Sequence, residues 1–191
     1  MELNGIAAAA IVLVRVFNNY GVPAKDLQAA QAEAQSILRD AGVGVGWISC
    51  EKGRRKPVQE SPRCQQPLAP NDLVLRIATS GGTAAALEVS MGFSLVSKDG
   101  SYLPVFSTIY ADRVTETARR AGTDFRQLLA RAIAHEIGHL LLNSNQHAAS
   151  GLMRRAWSHA EIRRDARADW VFLDQEAETM RAASVARARA N

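Results

Sequence analysis

All four histidines of the chain lie between His135 and His159, in the stretch AHEIGHLLLNSNQHAASGLMRRAWSH. Two of them, with the intervening glutamate, form an H-E-x-x-H pattern at His135, Glu136 and His139. On a helix, residues four apart project from one face, so both imidazoles can reach a single zinc ion at about 2.0–2.1 Å. Glu136 stands beside the pair without being a ligand. Its carboxylate can take a proton from a water on the metal's open side and later deliver it to a leaving amine. Zinc would lower the pKa of such a water from its bulk value toward about 7 and polarise a scissile carbonyl, so the chemistry implied is hydrolysis.

Two histidines leave a catalytic zinc one protein ligand short, because three plus a water is usual. His147 lies eight residues beyond His139, in a polar loop able to fold back beneath the helix, and Met153 follows in Gly151-Leu152-Met153. This stretch resembles the metzincin-type zinc metallopeptidases of the zincin superfamily, in which H-E-x-x-H-x-x-G-x-x-H precedes a turn with a methionine under the metal. The resemblance implies an α+β fold with a twisted mixed sheet, one catalytic zinc on His135, His139 and His147, Glu136 as base, Met153 as structural support, and peptide-bond hydrolysis. It also implies that an antiparallel edge strand pairs with the peptide substrate. Met91 to Val96, with Gly92, Phe93, Ser94 and Leu95 at its centre, is the candidate for that strand.

The spacing departs from the family pattern. Leu142 fills the place of the glycine and Asn145 that of the third histidine, so His147 comes two residues late. Asn143 is the residue type that best replaces glycine in a left-handed helix exit, which would let a slightly longer loop deliver His147. Glu161, which with Asp165 resembles the downstream E-x-x-x-D of thermolysin-like enzymes, is the alternative third ligand. His159 is a further candidate, more simply read as the solvated start of a helix. A zinc-holding protein without turnover is the competing class.

The metal-binding face needs a helix to carry it, and Asp124 to Leu142 supplies one: Phe125, Leu128, Leu129, Ala132, Ile133, Ile137, Leu140 and Leu141 form a broad apolar stripe. Asp124 or Thr123 can cap it, with Gln127 placed for a capping box if Asp124 is the cap. Upstream, Ile6 to Phe17 reads as a buried strand, Ala24 to Arg39 as a helix closed by Gly42, and Val43 to Ser49 as a second strand. This is a βαβ unit, which implies parallel pairing. A polar loop runs from Cys50 to Asn71, and Asp72 to Ala78 alternates as a third strand. Leu87 to Val96 and Tyr102 to Tyr110 read as a hairpin turning at Lys98, Asp99 and Gly100. A last helix is expected from Ser158 into the tail. Strands first and long helices last favour an α+β layered domain.

A single zinc peptidase-like domain over residues 1–191 accounts for the length, with a sheet-containing upper part (1–142) and a lower part (143–191) holding the third-ligand loop, the methionine turn and the last helix. Hydrophobic residues at 47% and charged residues at 22% exclude the disordered and fibrous classes. The net charge of +4 comes largely from arginines after residue 150, interspersed with acids and alanines as on a solvated helix face. Aromatic platforms beside them are missing, so nucleic acid is not an expected partner; a peptide or protein substrate is, for a monomer. The longest apolar run, Ile6 to Val14, is too short to span a bilayer. Cys50 and Cys64, the only cysteines, bracket a polar stretch and suggest one disulfide; a zinc knuckle would need shorter spacing and a second pair. That pair favours a secreted or periplasmic setting, although Glu2 and the lack of a cleavage site make the start a poor signal peptide.

Overall fold

The computed structural model describes residues 10–50, 61–81, 90–97, 100 and 103–190. Their strands form one mixed sheet in the order β2-β1-β3-β5-β4, made of β1 (Ile11–Asn18), β2 (Gly44–Ser49), β3 (Asp72–Ala78), β4 (Gly92–Ser94) and β5 (Phe106–Tyr110). The first four in that order are parallel, and β4 alone runs antiparallel, against β5 at the sheet edge. The helix α1 (Ala24–Asp40) joins β1 to β2, so the expected βαβ unit is present. Parallel pairing demands such a crossover, because the chain must return to the same end of the sheet.

Period-two alternation decides which side of the sheet is buried. Val12, Val14 and Val16 of β1 and Leu73, Leu75 and Ile77 of β3 are almost fully buried, in one core with Leu27, Ala30, Ala34 and Leu38 of α1 and Ile133 and Ile137 of α3 (Phe125–Leu142). Burying one of these aliphatic side chains contributes about 1.5–3 kcal/mol, which is why the two helices stay seated on the sheet. Arg15, between the valines, is buried as well. It donates to the carbonyls of Gln66 (2.7 Å) and Pro67 (2.9 Å) and pairs with Asp72 at 2.5 Å, tying down the segment between Cys64, which is disulfide-bonded to Cys50, and β3. A buried cation is tolerated only when it is paired and hydrogen-bonded in this way.

Several sequence expectations change. The first strand begins at Ile11, while residues 1–9 lie outside the described residues. The hairpin pair exists as β4 and β5, but Leu87, Lys98, Asp99 and Tyr102 lie outside the described residues, and β4 is only three residues long. A helix not anticipated, α2 (Ala111–Ala121), follows β5 directly. Its buried side is Ala111, Val114, Ala118 and Ala121, opposed by Arg113, Glu116, Arg119 and Arg120, so its helical spacing stands plainly in the sequence. Gly122 ends it with a φ of 68°.

The expected continuous helix from Ser158 into the tail is three pieces: α4 (His159–Arg164), a 3-10 turn over Arg167–Trp170, and α5 (Asp174–Arg189). Asp165 ends α4 in the left-handed conformation, and Trp170 and Phe172 leave the helical path to enter the core. Nor are all the tail arginines solvated. Arg187 is 3% exposed, and its guanidinium donates to the carbonyls of Pro70 (3.1 Å) and Pro104 (2.5 Å), pinning α5 to the loops ahead of β3 and β5. No helix among the described residues is long and apolar enough to cross a membrane.

Candidate metal centre

The helix α3 carries the H-E-x-x-H residues in its last turns. Asp124 caps its start, but through a bond from the Arg126 amide and without the capping box expected from Gln127. Gln127 instead meets the Thr123 hydroxyl and donates to Asp165 at 3.0 Å. At the other end Asn143 takes the left-handed conformation, φ 47°, ψ 43°, one residue later than the glycine of the family pattern. Its Oδ1 also accepts from the Ser97 amide at 2.9 Å, so the helix exit is tied to the chain leaving β4.

That exit brings three imidazoles together. Ligand atoms of His135, His139 and His147 all lie within 4.8 Å of one another, with the first two rings buried and His147 exposed. Each buried ring is oriented through Nδ1: His135 faces the carbonyl of Leu152 at 2.9 Å, and His139 that of Ser144 at 2.6 Å. A carbonyl oxygen only accepts, so each Nδ1 must carry the hydrogen and each Nε2 of the neutral ring presents a lone pair. The two Nε2 atoms then face each other at 3.0 Å with no proton between them. Protonation is opposed as well, since burial, the neighbouring histidines adding to it, holds the pKa of His135 down at about 3 and that of His139 at about 4. Two converging lone pairs in a buried site are reconciled by a cation. The separation is close to the roughly 3.3 Å that tetrahedral zinc with bonds of about 2.0–2.1 Å would set, so the donor set fits the metal that the resemblance implies. Burial and the nearby Arg155 also hold the His147 pKa below its ordinary value, keeping the third ring neutral.

The turn beneath the rings is built by residues that approach unusually closely. Gly151 has a φ of 73°, and a Cβ on it would stand 2.7 Å from the carbonyl oxygen of Val171. Leu152 follows, its amide bonded to that same carbonyl and its own carbonyl holding His135 and the Trp157 indole. Met153 is 1% exposed, and its sulfur lies where a Cβ on Gly138 would be, 2.8 Å away, with Phe172 Cε1 at 2.7 Å. Gly138, one of the two variable positions of the motif, is therefore a requirement of this packing that the sequence reading missed. A glycine inside a helix costs about 1 kcal/mol relative to alanine, and that cost is the signal that could have flagged it. The Ala148 amide bonds the Met153 carbonyl at 2.9 Å, which joins the His147 loop to the turn.

Of the four candidate substrate-strand residues, Gly92, Phe93 and Ser94 form the edge strand β4 and Leu95 follows it. Gly92 and Ser94 point at α3: the Ser94 hydroxyl is 2.7 Å from Glu136 Oε2, and a Cβ on Gly92 would stand 2.8 Å from Oε1. Phe93, with its ring 6.1 Å from that of Tyr110, lies on the opposite face, and Leu95 is half exposed. Glu136 is 5% exposed, and burial pushes its pKa up to about 7 against the opposing hydrogen bond from Ser94. Glu161 does not join the imidazoles. Its carboxylate closes a capping box with Ser158 and pairs with Arg154, while Asp165 pairs with Arg131. His159 sits exposed on the first turn of α4.

No family model and no curated protein matches the chain. Solved structures do. An archaemetzincin from Methanopyrus kandleri is similar over 95% of this chain and 98% of its own, with a TM-score of 0.56 at 13% identity. A zinc-dependent peptidase from Methanocorpusculum labreanum gives 0.55 at 14% identity over 87% of this chain and 99% of its own. Metalloproteinase-II from Bacteroides fragilis gives 0.51 at 13% identity, over 95% of this chain and 55% of its own. The shared property is the fold.

Proposed function

We propose that this protein is a zinc-dependent peptidase of the metzincin kind, with His135, His139 and His147 as ligands and Glu136 as general base. The observation that carries the reading is the convergence of the histidine ring nitrogens, two of them committed to lone pairs by their carbonyl partners, beside a buried carboxylate. The fold shared with zinc-dependent peptidases supports it.

Zinc, when bound, supplies a positive charge that acidifies water and polarises a carbonyl. The chain's own residues do the rest. Glu136 takes the proton of the attacking water and hands it to the departing amine, transfers open to a buried carboxylate beside the histidine cluster. Among the described residues β4 is the edge strand of the sheet, a place where an extended peptide can add as a further strand, aligning its backbone while leaving side-chain preference to the surrounding residues.

The test is metal content followed by activity. One zinc per chain is expected, together with hydrolysis of unstructured peptides that a chelator abolishes and zinc restores. Glu136→Gln should retain the metal and lose the hydrolysis. A protein that binds no zinc, or a Glu136→Gln variant with full turnover, would end this reading.

A further inference from the structure

We propose that Ser94 is the positioning residue for Glu136, and that Gly92 is glycine to leave room for the carboxylate it positions. The inference rests on the peptidase reading above for what Glu136 does, and on the geometry of β4 for how it is held.

A buried carboxylate needs donors, since an ion removed from water without them is strongly disfavoured. Among the described residues, the donor bonded to the Glu136 side chain is the Ser94 hydroxyl, 2.7 Å from Oε2 and itself only 6% exposed. That hydroxyl also lies 2.9 Å from the main-chain carbonyl of Glu136, and its single hydrogen goes to the carboxylate while Glu136 is ionised and is free for the carbonyl once the carboxyl carries its own proton. On the other side, a Cβ on Gly92 would meet the carbonyl oxygen of Thr108 at 2.7 Å and then Glu136 Oε1 at 2.8 Å and Cγ at 3.0 Å, so the missing side chain clears the β5 backbone and the carboxylate together. The pleat explains why these two act together, because positions 92 and 94 share the face of β4 that looks at α3 while Phe93 looks away. Holding Oε2 leaves Oε1 as the oxygen that accepts the proton from water and returns it to the amine.

The expected behaviour is specific. A hydrogen bond to a charged group is worth enough that its loss lowers a rate about 10- to 100-fold. With zinc bound, Ser94→Ala should lose that much in kcat while KM and zinc content stay within about twofold, and Ser94→Thr, which keeps the hydroxyl, should recover most of it. A second readout uses the metal-free protein with carbon-13 in its glutamate carboxyls, the Glu136 signal being the one absent from Glu136→Gln. That signal should move in Ser94→Ala and stay in place in Ser94→Thr. If the alanine variant does not fold, Ser94→Cys, close in shape and a weaker donor, should shift the signal partway. Unchanged kcat in Ser94→Ala, threonine no better than alanine, or a Glu136 signal that ignores position 94 overturns the proposal. If wild type with zinc cleaves no peptide, the peptidase reading falls separately, and the carboxyl signal still decides the role of Ser94.

Discussion

His135 Nδ1 lies 2.9 Å from the carbonyl oxygen of Leu152, the residue immediately before Met153. One backbone group thus fixes the ring's tautomer and rotation, and it belongs to a turn held by Gly151, Val171 and Phe172 rather than by the helix that carries the histidine. Outer partners of this kind typically change metal affinity 10- to 100-fold when lost.

The third ligand can be decided by titration. His147→Ala should weaken zinc binding by more than an outer partner would, whereas Glu161→Ala and His159→Ala should leave it near wild type, because Glu161 is committed to Ser158 and Arg154. Competition against a chromophoric chelator measures all three. Normal affinity in His147→Ala with a large loss in Glu161→Ala would instead favour a thermolysin-like ligand set.

Gly138→Ala should destabilise the protein despite alanine's better helix propensity. The gain is about 1 kcal/mol, but the new methyl would press on Met153 and Phe172, and overpacking of this kind costs about 1–3 kcal/mol. Urea midpoints of the metal-free proteins would show it, and a variant more stable than wild type would mean that the turn yields easily.

At the helix exit, Asn143→Leu should cost about 1–2 kcal/mol for the left-handed conformation, and more because the Ser97 amide loses its acceptor. Asn143→Gly relieves the first cost and keeps the second. Melting curves ordered wild type, glycine, leucine are expected, and a glycine variant equal to wild type would show that the Ser97 bond contributes little.

The metal-free protein should lose stability as pH falls from about 6.5 toward 4. The folded-state pKa values of His135 and His139 are depressed, to about 3 and about 4, so the unfolded chain binds protons first in that window. Glu136 works in the opposite sense. Its folded-state pKa is raised to about 7, so its contribution is fully present below the ordinary carboxyl value and is lost as pH rises through about 7. Glu136→Gln should therefore steepen the acid-side loss, which melts at several pH values would detect.

What could be read before folding was known divides by range. The βαβ start, the motif helix, the cysteine pair and the Asn143 exit follow from periodicity and residue type acting over a few positions. What escaped depends on partners far along the chain. The α2 helix hides because it follows β5 with no loop between them and Tyr110 at its start supplies no side-chain cap, so no boundary marks it. The break at Asp165 reflects the pull of Trp170 and Phe172 into the core. Gly138 and Ser94 could not be assigned their roles until the turn and the edge strand were seen against the motif helix.

The packing of Met153 and Phe172 on Gly138 also sets an order of events. A ribosome releases the motif helix before the residues that brace it, so the nascent chain spends an interval with His135 made and the turn that fixes its orienting Leu152 carbonyl still to come. Zinc captured in that interval would meet freely rotating rings. On the proposed ligand set, aligned capture of zinc would have to wait until Val171 and Phe172 have folded back onto the Gly151 turn and Gly138.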